Sequence, residues 1–180
     1  INPKAGFKEV NEVLEGASFI LAERFCEDAN LLQKLRNHMH KKAQVTSTLV
    51  KGKEQEAVKF RDYFDHSEAL KSVPSHRMLA MLRGRNEGFL TLAMNADPEQ
   101  EEGVRGSYCE NIISDHYGIT LSSAPADAWR KQVISWAWRI KVSMHMETEL
   151  MGAMKERAEI EASETVATNP KDRLMAAPAG

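Results

Sequence analysis

Two groups of basic residues carry the charge with which this chain could hold an anion. Arg83 and Arg85 flank Gly84 in the run Leu82-Arg83-Gly84-Arg85-Asn86-Glu87-Gly88. Gly84 and Gly88 permit backbone angles that other residues resist, so the chain can turn sharply there and hold both guanidinium groups near the turn. The same residues also admit an internal use. Arg83 and Glu87 have the spacing of an intrahelical pair, and Asp62 and Asp65 supply further carboxylates. Arg83 is therefore assigned to a structural tie with Glu87, Asp62 or Asp65, and Arg77 and Arg85 to outward contact with phosphates. If the carboxylate is partly buried, truncating Arg83 should cost ~3–5 kcal/mol. The second group is Lys34, Arg36, Lys41 and Lys42, in a stretch with no acidic residue between Ala29 and Lys53. A solvated helix face would have the same composition, and no aromatic is interleaved to stack on bases.

Other chemistry finds less support. His38 and His40 are two apart on a predicted helix and point to different faces, so they cannot share an ion on that helix. Asp115 and His116 are adjacent and also face apart. His76, beside a helix start, reads as a hydrogen-bonded structural residue rather than a base. Cys26 and Cys109 lack C-x-x-C spacing and read as reduced thiols. The acids between Asn95 and Gly106 lack the fixed geometry that Mg²⁺ requires. There is no G-x-S-x-G elbow and no phosphate-loop spacing. The expectation is a protein that is not an enzyme, with no cofactor, metal or small-molecule substrate.

The elements that must position the basic groups are mostly helical. Val10, Leu14, Ala17, Leu21 and Phe25 recur at helical spacing, and Asp28 can cap a second helix whose buried face is Leu31, Leu32, Leu35 and Met39. Lys34, Arg36, Lys41 and Lys42 fall outside that face. Gln44 to Val50 alternates and is rich in β-branched residues, which predicts a strand, and Phe89 to Met94 is its one candidate partner. Lys53 to Phe64 reads as a helix. Pro74 starts another, with Ser75 as its cap and Met78, Leu79 and Leu82 as its apolar face. Tyr108 to Tyr117 is a short helix stopped by Gly118. Pro125 begins the longest helix, with one stripe of Trp129, Val133, Trp136, Ile140 and Met144 and a second of Ile134, Trp138, Val142, Met146 and Leu150. Two stripes predict burial on more than one side. Ala96 to Gly106 and the tail after Asn169 have too few apolar residues to offset the entropy of ordering.

Several of these segments resemble one family. Phe60-Arg61-Asp62-Tyr63-Phe64-Asp65-His66, Val73-Pro74-Ser75-His76-Arg77 and Leu82-Arg83-Gly84-Arg85-Asn86-Glu87-Gly88 look like the helical core of the bacterial Tex transcription accessory proteins. Ala126-Asp127-Ala128-Trp129-Arg130-Lys131 and Trp136-Ala137-Trp138-Arg139-Ile140-Lys141 look like the start of that family's long central helix. The resemblance implies an elongated, mostly helical nucleic-acid-binding protein that acts in transcription. This chain would be the piece between its N-terminal helix-turn-helix region and its resolvase-like domain.

Composition agrees with a soluble fold: the chain is 42% hydrophobic and 28% charged, with a net charge of -2. No apolar run approaches the roughly 20 residues of a membrane span, and a cytoplasmic location is expected. The fold expected is mainly α: a multi-helix core with a long central helix and at most a small two-stranded β element. The helical core would occupy residues 1–124, the long helix 125–168, and a tail toward a further domain 169–180. The function expected is a non-enzymatic helical scaffold that meets RNA or DNA, mainly through domains outside this chain, together with the transcription machinery. The alternative is a protein-docking module in which the long helix and the arginine turn organise neighbouring domains.

Overall fold

The computed structural model describes residues 3–98, 108–119 and 125–168. The predicted mainly α class is observed, and the elements form two compact units, residues 1–43 with 96–148 and residues 44–95 with 149–180. The basic segment of the second predicted helix belongs to the first unit and the arginine segment to the second.

In the first unit, α1 (Pro3–Glu27) packs against α5 (Pro125–Ala137) and the turn that follows it, and α2 (Ala29–Lys42) packs against α4 (Tyr108–His116). As its spacing predicts, α2 buries Leu31, Leu35 and Met39, and Asp28 is its N-cap, accepting from the Leu31 amide at 3.1 Å. Gly118 ends α4 at φ +66, a backbone conformation that side chains with a Cβ resist.

The long helix from Pro125 is helical to Thr168, but not as one uniform α-helix. Residues Trp138–Val142 form a π turn, in which the Ser143 amide donates to the Trp138 carbonyl, and α6 (Ser143–Thr168) follows. In an α-helix each four-residue step advances a side chain by about 40° around the axis. The wider turn offsets that drift once, which keeps Trp138, Val142 and Met146 on a common buried face. The second predicted stripe is buried throughout. The first is not: Trp129, Ile140 and Met144 are 50%, 38% and 64% exposed, and of its members only Val133 is in the core.

The second unit is built on β1 (Gln44–Leu49), the middle strand of an antiparallel sheet in the order β2-β1-β3. β3 (Leu90–Asn95) is the predicted partner, and Leu49 faces Leu90 in the register. On the other side lies β2 (Asp65–Ala69), with Thr48 opposite Asp65. The sheet is therefore three-stranded rather than two-stranded. Asp-His-Ser-Glu-Ala has no β-branched residue, and only the unpaired edge of β1 makes it a strand. The helix expected over Lys53 to Phe64 is a run of turns and a 3-10 helix, Val58–Tyr63, broken at Phe60 (φ -104, ψ 16). Ser47 Oγ donates to the Tyr63 carbonyl at 2.7 Å and ties that segment to the middle strand.

The arginine segment departs most from expectation. α3 runs from Ser75 to Asn86, so Gly84 and Arg85 lie inside the helix and the turn comes at Gly88, φ +80. Pro74 holds the cap position with extended ψ 147, and Ser75, the first helical residue, donates its hydroxyl to Glu161 of α6. Gly84 is buried because α3 crosses β3 at close quarters: a Cβ there would meet Leu90 Cδ1 at 2.4 Å and Phe60 Cδ1 at 3.3 Å. Of the segments expected to resist ordering, residues 99–106 of the first and the whole tail after Asn169 lie outside the described residues.

Gly84→Ala tests this packing. Helix propensity alone favours alanine by about 1 kcal/mol, yet the crowded approach to Leu90 should make the variant less stable by ~1–3 kcal/mol. Chemical denaturation reads the sign directly, and a stabilised variant would contradict the close approach.

Candidate nucleic-acid interface

On α2 the basic residues separate into two faces. At 3.6 residues per turn Lys34, His38, Lys41 and Lys42 share an arc of about 100°, whereas Arg36 falls on the far side. Lys34, Lys41 and Lys42 are exposed, and Arg36 is half-buried with its Nη1 donating to Gln33 Oε1 at 2.6 Å.

Lys34 is anchored. Its Nζ donates to His116 Nδ1 at 3.0 Å, His116 Nε2 lies 2.9 Å from Asp28 Oδ2, and Tyr117 Oη donates to the same oxygen at 2.7 Å. An ammonium can only donate, so His116 Nδ1 presents its lone pair and Nε2 carries the proton given to Asp28. Phe25 stacks on Tyr117 at 5.2 Å and walls one side. The Tyr117 hydroxyl and then the Leu31 amide hold the Asp28 carboxyl at about 2, well below its usual range. Burial, with Asp28 adding to it, pushes the Tyr117 phenol up to about 12. An ammonium has three donors, and only one of those on Lys34 is spent on His116.

The second unit places its arginines differently. Arg77, half-buried, pairs with Glu68 at 2.8 Å, and His66 Nε2 meets the other oxygen of Glu68 at 3.1 Å. Arg83 is 75% exposed on its side chain and approaches Glu87 at 3.8 Å, while Lys59 holds Glu87 at 2.8 Å. Asp62 and Asp65 are exposed and form no ion pair with Arg83. Arg85 is exposed and pairs with none of the described residues.

One cluster was hidden from sequence reasoning. His38, which the sequence sets beside His40, instead meets Asp97 and Cys109, their donor atoms all within 4.8 Å of one another. A cavity of about 210 Å³ adjoins them, lined by His38, Lys42, Ala96, Asp97, Pro98 and Tyr108. Cys109 is fully buried, and burial followed by the charges of Asp97 and Glu110 pushes its thiol far above the ordinary range. Cys26 is unbridged, as is Cys109. Three residues from separated parts of the chain leave no spacing signal.

Both units are mainly helical among the described residues, the second with a small three-stranded antiparallel sheet, and this defines the class as a mainly α core. The Tex central region-like family model matches residues 1–166. The Escherichia coli (strain K12) protein YhgF is 60% identical over 97% of this chain, and the Bordetella pertussis protein Tex is 39% identical over all of it. The transcriptional accessory protein Tex of Neisseria gonorrhoeae is 38% identical over 96% of the chain. The chain belongs to the Tex family, and it spans 22–23% of the length of these relatives. No helix among the described residues is long and apolar enough to cross a membrane.

Two outcomes follow for the charged groups. Arg83→Ala and Arg85→Ala should each change stability by no more than about 0.5 kcal/mol, because the Arg83 pair is solvent-exposed. A loss of several kcal/mol at Arg83 alone would restore the buried tie. Asp28→Ala should cost ~1–3 kcal/mol, through the missing cap and the stranded His116 and Tyr117 donors. Because folding depresses the Asp28 carboxyl, its contribution is complete above about pH 4 and is lost as pH falls through about 2. Acid titration of stability should therefore be flatter in the variant across that window, and parallel curves would contradict the assignment.

Proposed function

We propose that this chain is a non-enzymatic helical scaffold within a transcription accessory protein of the cytoplasm, and that the α2 face carrying Lys34, Lys41 and Lys42 lies along the phosphates of RNA or DNA. The observation that carries the reading is the three exposed lysines within one arc of a helix whose whole length has no acidic residue. Phosphate contacts position a nucleic acid without reading its sequence, which suits a scaffold whose other domains also hold the strand. Lys34 is set in place through His116, so less side-chain freedom is lost when a phosphate arrives. Arg85 adds an exposed cation in the second unit, whereas Arg77 is engaged by Glu68. The name of the Neisseria gonorrhoeae relative, a transcriptional accessory protein, supports the transcriptional setting, in which the transcription machinery would be the protein partner.

A second reading is protein docking. It is favoured by the outward row of Trp129, Ile140 and Met144, together with the small share of its relatives' length that the chain covers. Large apolar side chains left in water are characteristic of surfaces that meet another protein.

The salt dependence of binding separates the two. Neutralising Lys34, Lys41 and Lys42 to glutamine should weaken binding to single-stranded RNA or duplex DNA. The log-log salt slope should become shallower by roughly 0.7–0.9 for each phosphate that the variant no longer neutralises. The melting temperature should stay nearly unchanged. Unaltered affinity and slope would retire the α2 face and leave docking as the function.

A further inference from the structure

We infer that His38, Asp97 and Cys109 form a site for a divalent transition-metal ion of the zinc class, with a water molecule from the adjoining cavity as the natural fourth ligand. The donor set is the first ground. An imidazole nitrogen, a carboxylate oxygen and a sulfur suit a borderline-soft ion, and magnesium or calcium would require oxygen donors throughout. Spacing is the second. Bonds of roughly 2.0–2.3 Å in a tetrahedron place donors about 3.3–3.8 Å apart. His38 Nε2 and Asp97 Oδ1 are 3.5 Å apart, and all three donors lie within 4.8 Å of one another. The required adjustment is on the order of an ångström and falls on side chains.

A third ground is the state of the imidazole. His38 Nε2 is buried and makes no hydrogen bond, and its approach to Asp97 resembles two ligands flanking an ion more than a donor meeting an acceptor. The two residues line a cavity of about 210 Å³, enough for several waters, and Lys42 on the same wall favours a neutral or anionic fourth ligand. Binding converts the Cys109 thiol to a thiolate, with one proton released to solvent for each ion taken up. The thiolate and the Asp97 carboxylate together balance a dication. The ion would fasten α2 to α4, because His38 lies on the one and Cys109 on the other.

Cobalt(II) is the first probe. The chain, stripped with chelator and given Co²⁺, should bind one ion and show a thiolate-to-cobalt charge-transfer band together with tetrahedral ligand-field bands. Both should persist in Cys26→Ser, where Cys109 is the sole thiol. Zn²⁺ should raise the melting temperature of the wild type and of Cys26→Ser. His38→Gln and Asp97→Asn should each lower metal affinity by at least about 100-fold. Cobalt bound without a thiolate band, a band lost in Cys26→Ser, or undiminished affinity in folded His38→Gln would each overturn the site. The wild-type and Cys26→Ser spectra decide the matter even if the ligand variants do not fold.

Discussion

The Asp28 carboxylate is the constraint on which the α2–α4 part of the first unit depends. It accepts from the amide that opens α2, from the imidazole at the end of α4 and from the phenol just beyond it. A single anion thereby sets where α2 starts and how α4 lies against it. Each donor lowers the free energy of the charged form, and the lowered pKa of the group follows from these bonds. Lys34 joins the same chain through His116, so one exposed cation of α2 is positioned by a run of hydrogen bonds that ends at a helix cap. The buried face of Leu31, Leu35 and Met39 sets how α2 is turned, and with it the directions in which Lys41, Lys42 and His38 leave the backbone.

Much of this was legible in the sequence, for a local reason. The Asp28 cap, the buried face of α2, the Gly118 stop and the start at Pro125 are all written within a few residues of where they act. β1 was legible because alternation and β-branching occur together there, β3 only as the one other candidate to pair with it, and the mainly α class follows from the summed periodicity. What could not be read depends on partners remote in the chain. β2 is made a strand by the open side of β1, and Phe60 interrupts its helix where the chain leads into that strand. Gly84 looked like a hinge because glycine allows unusual angles. It is there instead for its missing side chain, which only the position of Leu90 reveals. His116 gave no sign of Asp28, nor His38 of Cys109.

The long helix shows the limit of stripe counting. Two apolar stripes suggested burial on two sides, yet only one is buried throughout. The π turn at Trp138–Val142 keeps Val142 and Met146 in line with Trp138 and leaves Ile140 and Met144 outward. Periodicity identified the apolar residues correctly. It could not say which of them the rest of the chain would meet.

The close passage of α3 over β3 couples two positions in a way that concerns how such a sequence can change. Because the space above Gly84 is already filled by the Leu90 side chain, residues 84 and 90 share a nearly fixed volume. A side chain added at 84 costs least when one shrinks at 90, so variants at these two sites should travel as compensating pairs. Two residues six apart, one in a helix and one in a strand, thus behave as a single unit of variation.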